Sequence, residues 1–487
     1  MSLSDHPRAY GTAAVAIAFT AGVLVTLGFK DFYPDLERRY QSQRQQNSLN
    51  RRRSRRNSAS STLTAASTRE ARRRSSFFWG PVSLEDHEEE ELKDPASVAI
   101  ATTAVSGTTS AALASRATSV VTGIEGCIGS TPLIEIPSLS ALTKRTILAK
   151  AEFLNGAGNS PKDRVALNII LTAESQGLLV PYRGDTIFEG TVGSTGISLA
   201  ALARARGYKA HICMPDDQAR EKSDLLHHLG ATVERVPLQP ITSPEHYVNL
   251  ARRRAAEHAA VKNDGSVGFF ADQFENEANH STHRLTTGPE IHTQTRGQLS
   301  AFVAGAGTGG TISGVAAYLK LEAQIPNLRI VLADPQGSGL YNKIKHGVMY
   351  SPTEREGTRR RQQIDSIVEG VGVNRITTNF EVGRDLIDDA VRVTDVQACV
   401  MARWLVEHDG IFVGSSSAVN CVAAVVTAMS LPEGSRVVTV LCDSGTRHLS
   451  RFWKRIGEMG LEENDADEGT RSEDLFKLLG IESKPPK

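Results

Sequence analysis

Two periodicities alternate along residues 119–455. Short β-branched and aliphatic runs have the length of buried strands: TILAK (146–150), TIFEG (186–190), AHICMP (210–215), TVERVP (232–237), AFVAGAG (301–307), RIVLADP (329–335) and RVVTVLCD (436–443). Between them, GISLAALARARG (196–207), SDLLHHLG (223–230) and ACVMARWLVEHDG (398–410) carry apolar residues at helical spacing. Strands and helices in this order predict an α/β fold with parallel sheets covered on both faces. Such folds bind ligands beyond the carboxyl ends of the strands, next to helix N-termini.

The pattern is different ahead of residue 116. Residues 11–29, GTAAVAIAFTAGVLVTLGF, contain no charge and approach the roughly 20 residues that cross a bilayer as a helix. Only Asp5, His6 and Arg8 precede the run, whereas Lys30, Arg38, Arg39, RRRSRR (51–56) and RRR (72–74) follow it. That asymmetry keeps the C-terminal side in the cytosol and favours a retained, single-pass anchor. A mitochondrial transit peptide is the alternative, because the next segment is rich in Arg and Ser; a cleaved secretory signal fits worst. Residues 31–115 read as a basic, low-complexity linker that buries too little apolar surface to fold. The expected division is therefore an anchor at 1–30, a mostly disordered linker at 31–115, a catalytic domain at 116–460 and an acidic tail at 461–487 with a disordered end as the default.

Composition adds exclusions. The 487 residues carry 55 Lys plus Arg against 55 Asp plus Glu, so charge gives no support for nucleic-acid binding. Five cysteines, Cys127, Cys213, Cys399, Cys421 and Cys442, are scattered with no CxxC pair, which argues against disulfides and zinc knuckles; no metal site is expected.

Three loops sit where such folds bind ligands. EGTVGSTG (189–196) offers backbone N–H groups and small hydroxyl residues to a carboxylate, and GAGTGGT (305–311) offers a phosphate cradle at a helix start. CDSGTRHLS (442–450) follows the last predicted strand. The second loop lacks both the acidic residue of a dinucleotide site and the GK[ST] of a Walker loop. A lysine, Lys162, follows the loop-forming NGAGNSP (155–161) and opens an apolar helical run. A carboxylate cradle, a phosphate cradle and a lysine suit an amino-acid substrate and a phosphorylated aldehyde cofactor, pyridoxal 5'-phosphate, held through a Schiff base.

These segments resemble the cysteine synthase and cystathionine β-synthase family, fold type II of the pyridoxal-phosphate enzymes. GIEGCIGSTPLIEIPSL (123–139) is similar to its opening motif, NSPKDRVA (159–166) to its lysine segment and FADQFENEANHSTHRLTTGPEI (270–291) to its most specific stretch; GAGTGGTISG and DSGTRHLS also match. The chain resembles in particular a fungal mitochondrial branch. The resemblance implies two parallel-sheet subdomains, the smaller covering roughly 155–270 and inserted in the larger, and a homodimer. It implies Lys162 as the Schiff-base lysine and base, and Gly307, Thr308, Gly309, Gly310 and Thr311 as the phosphate cup. Ser444 is implied to meet the pyridine nitrogen, Ser194 the cofactor's 3' oxygen, and Thr191, Val192, Gly193, Thr195 and Gln273 the substrate. Val192 stands where the family has serine, and Ser194 where it has asparagine. Residues 347–366 look like an insertion near the site.

The implied reaction is β-replacement. O-acetyl-L-serine loses acetate to give an aminoacrylate, and sulfide adds to give L-cysteine. Cystathionine β-synthase-like, serine or threonine dehydratase and cysteine desulfhydrase activities are alternatives, and a membrane-tethered non-catalytic binding protein is an alternative of another class. The implied location is the mitochondrion, with the outer membrane favoured and the catalytic domain facing the cytosol.

Overall fold

The computed structural model describes residues 120–218, 220–262, 264–349, 366–461, 475–477 and 479. The stretch 11–29, the linker 31–115, residues 350–365 of the expected insertion and most of the tail lie outside them. Among the described residues no helix is long and apolar enough to cross a membrane.

Every predicted run contains a strand. The strands are β1 (Leu133–Glu135), β2 (Thr146–Ala151), β3 (Thr186–Gly190), β4 (Lys209–Pro215), β5 (Thr232–Val236), β6 (Gly268–Phe270), β7 (Ala301–Gly305), β8 (Arg329–Pro335), β9 (Asp389–Val393) and β10 (Arg436–Leu441). One sheet has the order β1-β2-β10-β7-β8-β9 and the other β5-β4-β3-β6. All pairings are parallel except β1 with β2, which is antiparallel at the sheet edge. The pattern missed β1, β6 and β9. The first two have three residues each, too short to display a period of two.

The larger sheet is buried on both faces, and its strands alternate between two cores. Ala301 and Val303 of β7 enter one core while Phe302 and Ala304 enter the other; in β8, Val331 and Ala333 oppose Ile330 and Leu332. The smaller sheet packs Ile187, Ile212 and Met214 against α1 (Lys162–Ser175) and α2 (Ser194–Ala205), through Val165, Ile169, Leu199 and Leu202. The phosphate-cradle sequence GAGTGGT leads from β7 into α3 (Gly310–Ala316). Two further helices, α4 (Asp395–Asp409) and α5 (Ser415–Met429), supply the first core of the larger sheet. A capping box sets the start of α4 before the apolar run: Thr394 Oγ1 accepts from Gln397 N–H, and Gln397 Oε1 accepts from Thr394 N–H.

The tail corrects one expectation. Leu475 and Leu479 are both 1% exposed and join the core formed by α4 and α5, and Gln397 Nε2 donates to Leu479 O at 2.5 Å. The acidic residues near 463–468 hide these leucines from a reading based on average composition.

A buried ion quartet joins the elements that lead to the lysine. The Arg164 guanidinium in α1 donates to Glu152 (Nε–Oε2 2.8 Å, Nη2–Oε1 2.8 Å) and to Glu290 (Nη1–Oε1 2.6 Å, Nη2–Oε2 2.8 Å). Lys150 of β2 lies 2.6 Å from Glu290 Oε2 and donates to Thr131 O at 2.6 Å. Burial alone would raise the Glu152 carboxyl, but Arg164 holds it at about 2. Two cations and two anions cancel, and their hydrogen bonds offset desolvation that would otherwise exclude them from a core. Removing one member strands a buried charge. Arg164→Met is expected to destabilise the protein by about 3–5 kcal/mol in denaturant melts. Lys144→Met, which breaks the exposed 3.7 Å pair with Glu433, is expected to cost less than about 1 kcal/mol. Equal effects would contradict the assignment of the quartet as the structural centre.

Candidate active site

Beyond the carboxyl ends of the strands lies a cavity of 820 Å³ lined from both sheets. Its wall includes Lys162, the loop Thr191–Thr195, Gln273, and Gly307, Thr308, Gly309 and Thr311. Four segments far apart in the chain therefore open on one space.

Lys162 is the first residue of α1, and the residues on both sides of it are fixed. Asp163 Oδ1 accepts from Gly158 N–H and Ser198 Oγ, both at 2.6 Å, which ties the preceding loop to α2. Gly158 is required by close approach: a Cβ there would lie 2.6 Å from Asp163 Oδ1 and from Ser198 Oγ. Arg164 sits in the quartet. The Lys162 ammonium makes no hydrogen bond or ion pair among the described residues. Burial lowers its pKa, against the opposing influence of Cys442, Asp443 and Glu152. A nucleophilic amine needs this depression.

The phosphate-cradle segment leaves its amides open. The N–H groups of Gly307, Thr308 and Gly309 enter no hydrogen bond among the described residues, and Gly309 adopts φ +86°, the left-handed region that favours glycine. The loop is held from behind: Asn279 Nδ2 donates to Thr308 Oγ1 at 2.9 Å, Thr377 Oγ1 donates to Thr308 O at 2.7 Å, and His283 Nε2 meets Thr311 Oγ1 at 3.1 Å. Burial pushes His283 down to about 3, so it is neutral. Open amides, two threonine hydroxyls and the start of α3 are suited to a phosphate. Gly310 is absent from the wall; a Cβ there would lie 1.9 Å from Asn279 Oδ1.

The loop at 191–195 leads into α2, and its residues all face the cavity. Thr195 Oγ1 donates to Gln273 Oε1 at 2.5 Å, and Gln273 Nε2 donates to Glu189 Oε1 at 3.1 Å. Burial pushes the Glu189 carboxyl up to about 8. Gln273 is thus locked between a threonine hydroxyl and a largely neutral acid, and Ser194 stands at the helix start.

Ser444 is not brought to the cavity. Its Oγ accepts from Thr446 N–H at 3.3 Å and from Thr446 Oγ1 at 3.0 Å, and Thr446, not Ser444, is the wall residue. Among the hydroxyls that do line the cavity is Ser416, 5% exposed, at the start of α5. Its sequence signal is the run Gly414-Ser415-Ser416-Ser417 ahead of an apolar helix. Cys442 is a further wall residue beside Ser416 and Lys162, and burial pushes its thiol up to about 11.

A charged cluster completes the wall. His448 Nε2 lies 3.0 Å from Asp443 Oδ2, and its Nδ1 lies 3.4 Å from Glu369 Oε2. Burial would lower His448, but the two carboxylates outweigh it and raise the imidazole to about 9. Burial likewise opposes ionisation of Glu369, yet His448 and Lys222 hold it at about 2. Gly414 makes room for this pair, since a Cβ there would lie 2.3 Å from Asp443 Oδ1 and 2.5 Å from His448 Nε2. Among the described residues, His211, Cys213 and Glu234 gather in a metal-like trio outside the cavity wall, but Arg254 already binds both Glu234 oxygens at 3.2 and 2.9 Å.

Comparison with known proteins agrees with this geometry. The chain is 67% identical over 482 residues to a Neurospora crassa protein named cysteine synthase 2, covering 99% of each chain. It is 55% identical over 337 residues to a Saccharomyces cerevisiae protein provisionally named a mitochondrial cysteine synthase, covering 69% of this chain and 85% of that one. The crystal structure of O-ureido-L-serine synthase is similar with TM-score 0.58 and 31% identity, over 73% of this chain and 99% of that one. Residues 124–443 match the family described as pyridoxal-phosphate dependent enzyme. With the lysine and the anion cradle on one cavity, the chain belongs to the pyridoxal-phosphate dependent enzymes.

Proposed function

We propose that the chain is a cysteine synthase, converting O-acetyl-L-serine and sulfide to L-cysteine and acetate. The observation that carries this reading is the meeting of Lys162, the open amides of Gly307–Gly309 and the 191–195 loop around one cavity, in a chain so similar to proteins of that name.

The residues present fit pyridoxal 5'-phosphate. Unused amides and the hydroxyls of Thr308 and Thr311 would hold its phosphate, and Lys162 Nζ its aldehyde carbon. Ser416, which lines the cavity where Ser444 does not, would offer a neutral hydroxyl to the ring nitrogen, and Ser194 would meet the ring oxygen. When bound, the cofactor supplies the electron sink that acidifies the substrate α-carbon.

The chain's own groups do the rest. The N–H groups of Val192, Ser194 and Thr195, which enter no hydrogen bond among the described residues, and the hydroxyl of Thr191 orient the substrate carboxylate, and Gln273 fixes the loop through Thr195. Lys162 Nζ, made readily neutral by desolvation, accepts the proton from the α-carbon and returns it after sulfide has added at the β-carbon. Acetate leaves with the electron pair of the broken C–O bond. Val192 contributes no hydroxyl, so the carboxylate grip depends more heavily on charge and on amides.

The same reading places the protein in the mitochondrion, supported by the yeast relative, and as a homodimer, as the resemblance implies. It assigns residues 11–29 as a membrane anchor that leaves the catalytic domain on the cytosolic side. The full-length chain is expected to stay with carbonate-washed membranes, and a chain lacking residues 1–30 to be released; release of both would refute the anchor.

A substrate panel tests the activity. With O-acetyl-L-serine and sulfide the purified full chain is expected to release L-cysteine. With L-serine and homocysteine it is expected to give far less cystathionine, and with serine or threonine alone far less keto acid. Lys162→Ala is expected to lose activity by at least roughly a thousandfold, since it removes both the attachment and the base. Cystathionine or keto acid as the main product, or an active Lys162→Ala variant, would refute the assignment.

A further inference from the structure

Lys222 lines the cavity but belongs to none of the motifs above. It comes from the helix Arg220–His228, beside the smaller sheet, and is 8% exposed. Its Nζ lies 2.6 Å from Glu369 Oε2, on the far wall formed by the larger sheet's loops, and donates more weakly to Gln218 Oε1 at 3.5 Å. Its other flank faces the 191–195 loop. For a Cβ built on Gly193, the three nearest atoms are Lys222 Cδ, Cε and Nζ at 3.7, 3.8 and 3.9 Å. An ammonium thus stands in contact range of the segment in which the N–H groups of Val192, Ser194 and Thr195 enter no hydrogen bond among the described residues.

Two further observations give this placement meaning. Val192, also on the wall, offers the carboxylate no hydroxyl. Glu369 does not depend on Lys222 alone: His448 Nδ1 lies 3.4 Å from its Oε2 and Arg451 Nη1 lies 3.5 Å from its Oε1. If Lys222 leans toward the loop, Glu369 keeps two cations and no carboxylate is stranded in the wall. An ammonium with a replaceable counterion is a suitable partner for an incoming anion, and a charge-assisted hydrogen bond is about twice as strong as a neutral one.

We propose that Lys222 is a specificity-determining residue that binds the α-carboxylate of the amino-acid substrate, exchanging Glu369 for that carboxylate and supplying the contact that Val192 lacks. This rests on the reading of 191–195 as the carboxylate loop. It predicts selection for a free carboxylate over the corresponding amide.

The test uses the full-length chain loaded with pyridoxal phosphate and two ligands that differ only at the group in question, L-serine and L-serinamide. Dissociation constants are read from the change in cofactor absorbance. Lys222→Met is expected to weaken L-serine by roughly ten- to a hundredfold, the effect of losing one charge-assisted hydrogen bond, and to leave L-serinamide within about twofold. KM for O-acetyl-L-serine should rise in parallel while kcat changes little, and Lys222→Arg should restore most of the L-serine affinity. If both ligands weaken equally, Lys222 acts only as a strut to Glu369 and the proposal is overturned; unchanged L-serine binding overturns it as well. A wild-type chain without cofactor absorbance would overturn the proposed function first, and this inference with it.

Discussion

The buried Arg164 guanidinium is the interaction on which the rest depends. It binds a carboxylate from the end of β2 and another from the helix Gly288–Thr295, and it sits two residues after Lys162. Around it gather Thr131 of the opening motif, Lys150 of β2 and Glu290 of the TTGPEI stretch. Four segments that looked like separate signatures are thus parts of one electrostatic joint. A charge pair in a core is weak support for stability on its own, because desolvation consumes most of the attraction. What this joint supplies is uniqueness of placement. Each carboxylate accepts paired donors from Arg164, so the register of α1 against both neighbours is fixed, and with it the origin of the Lys162 side chain.

The lysine's chemistry follows from that placement. Asp163 and Arg164 turn inward into hydrogen bonds and ion pairs, whereas Lys162 faces a cavity and finds no carboxylate in hydrogen-bond reach among the described residues. Desolvation then outweighs the nearby negative groups. The same logic recurs on the opposite wall. His448, also desolvated, is raised because it has two carboxylates in contact. Burial is common to both groups, and partner geometry decides the sign.

Much of this was legible in the sequence. The buried strands announce themselves as short aliphatic runs because both faces of the larger sheet are dry. Lys162 and the 307–311 turn are legible because glycine, proline and small hydroxyl residues cluster before helical runs for steric reasons. Ser416 and Ser444 each follow a glycine-bearing or strand-ending segment, and only the three-dimensional path decides that Ser416 lines the cavity and Ser444 does not. The contribution of Lys222 was not legible at all: nothing in REKSDLLHH distinguishes a lysine that crosses a cavity from one that meets solvent. Leu475 and Leu479 were hidden by the acidic residues around them, since average composition says nothing about two leucines spaced one helical turn apart.

Borohydride reduction of the cofactor-loaded full-length protein, followed by peptide mass mapping, tests the central claim most directly. The account predicts a single phosphopyridoxyl group on the peptide containing Lys162, because among the described lysines that amine alone combines a depressed pKa with a place on the cavity that 307–309 also line. Modification of Lys222 or Lys150 instead, or no modification of any lysine, would contradict it.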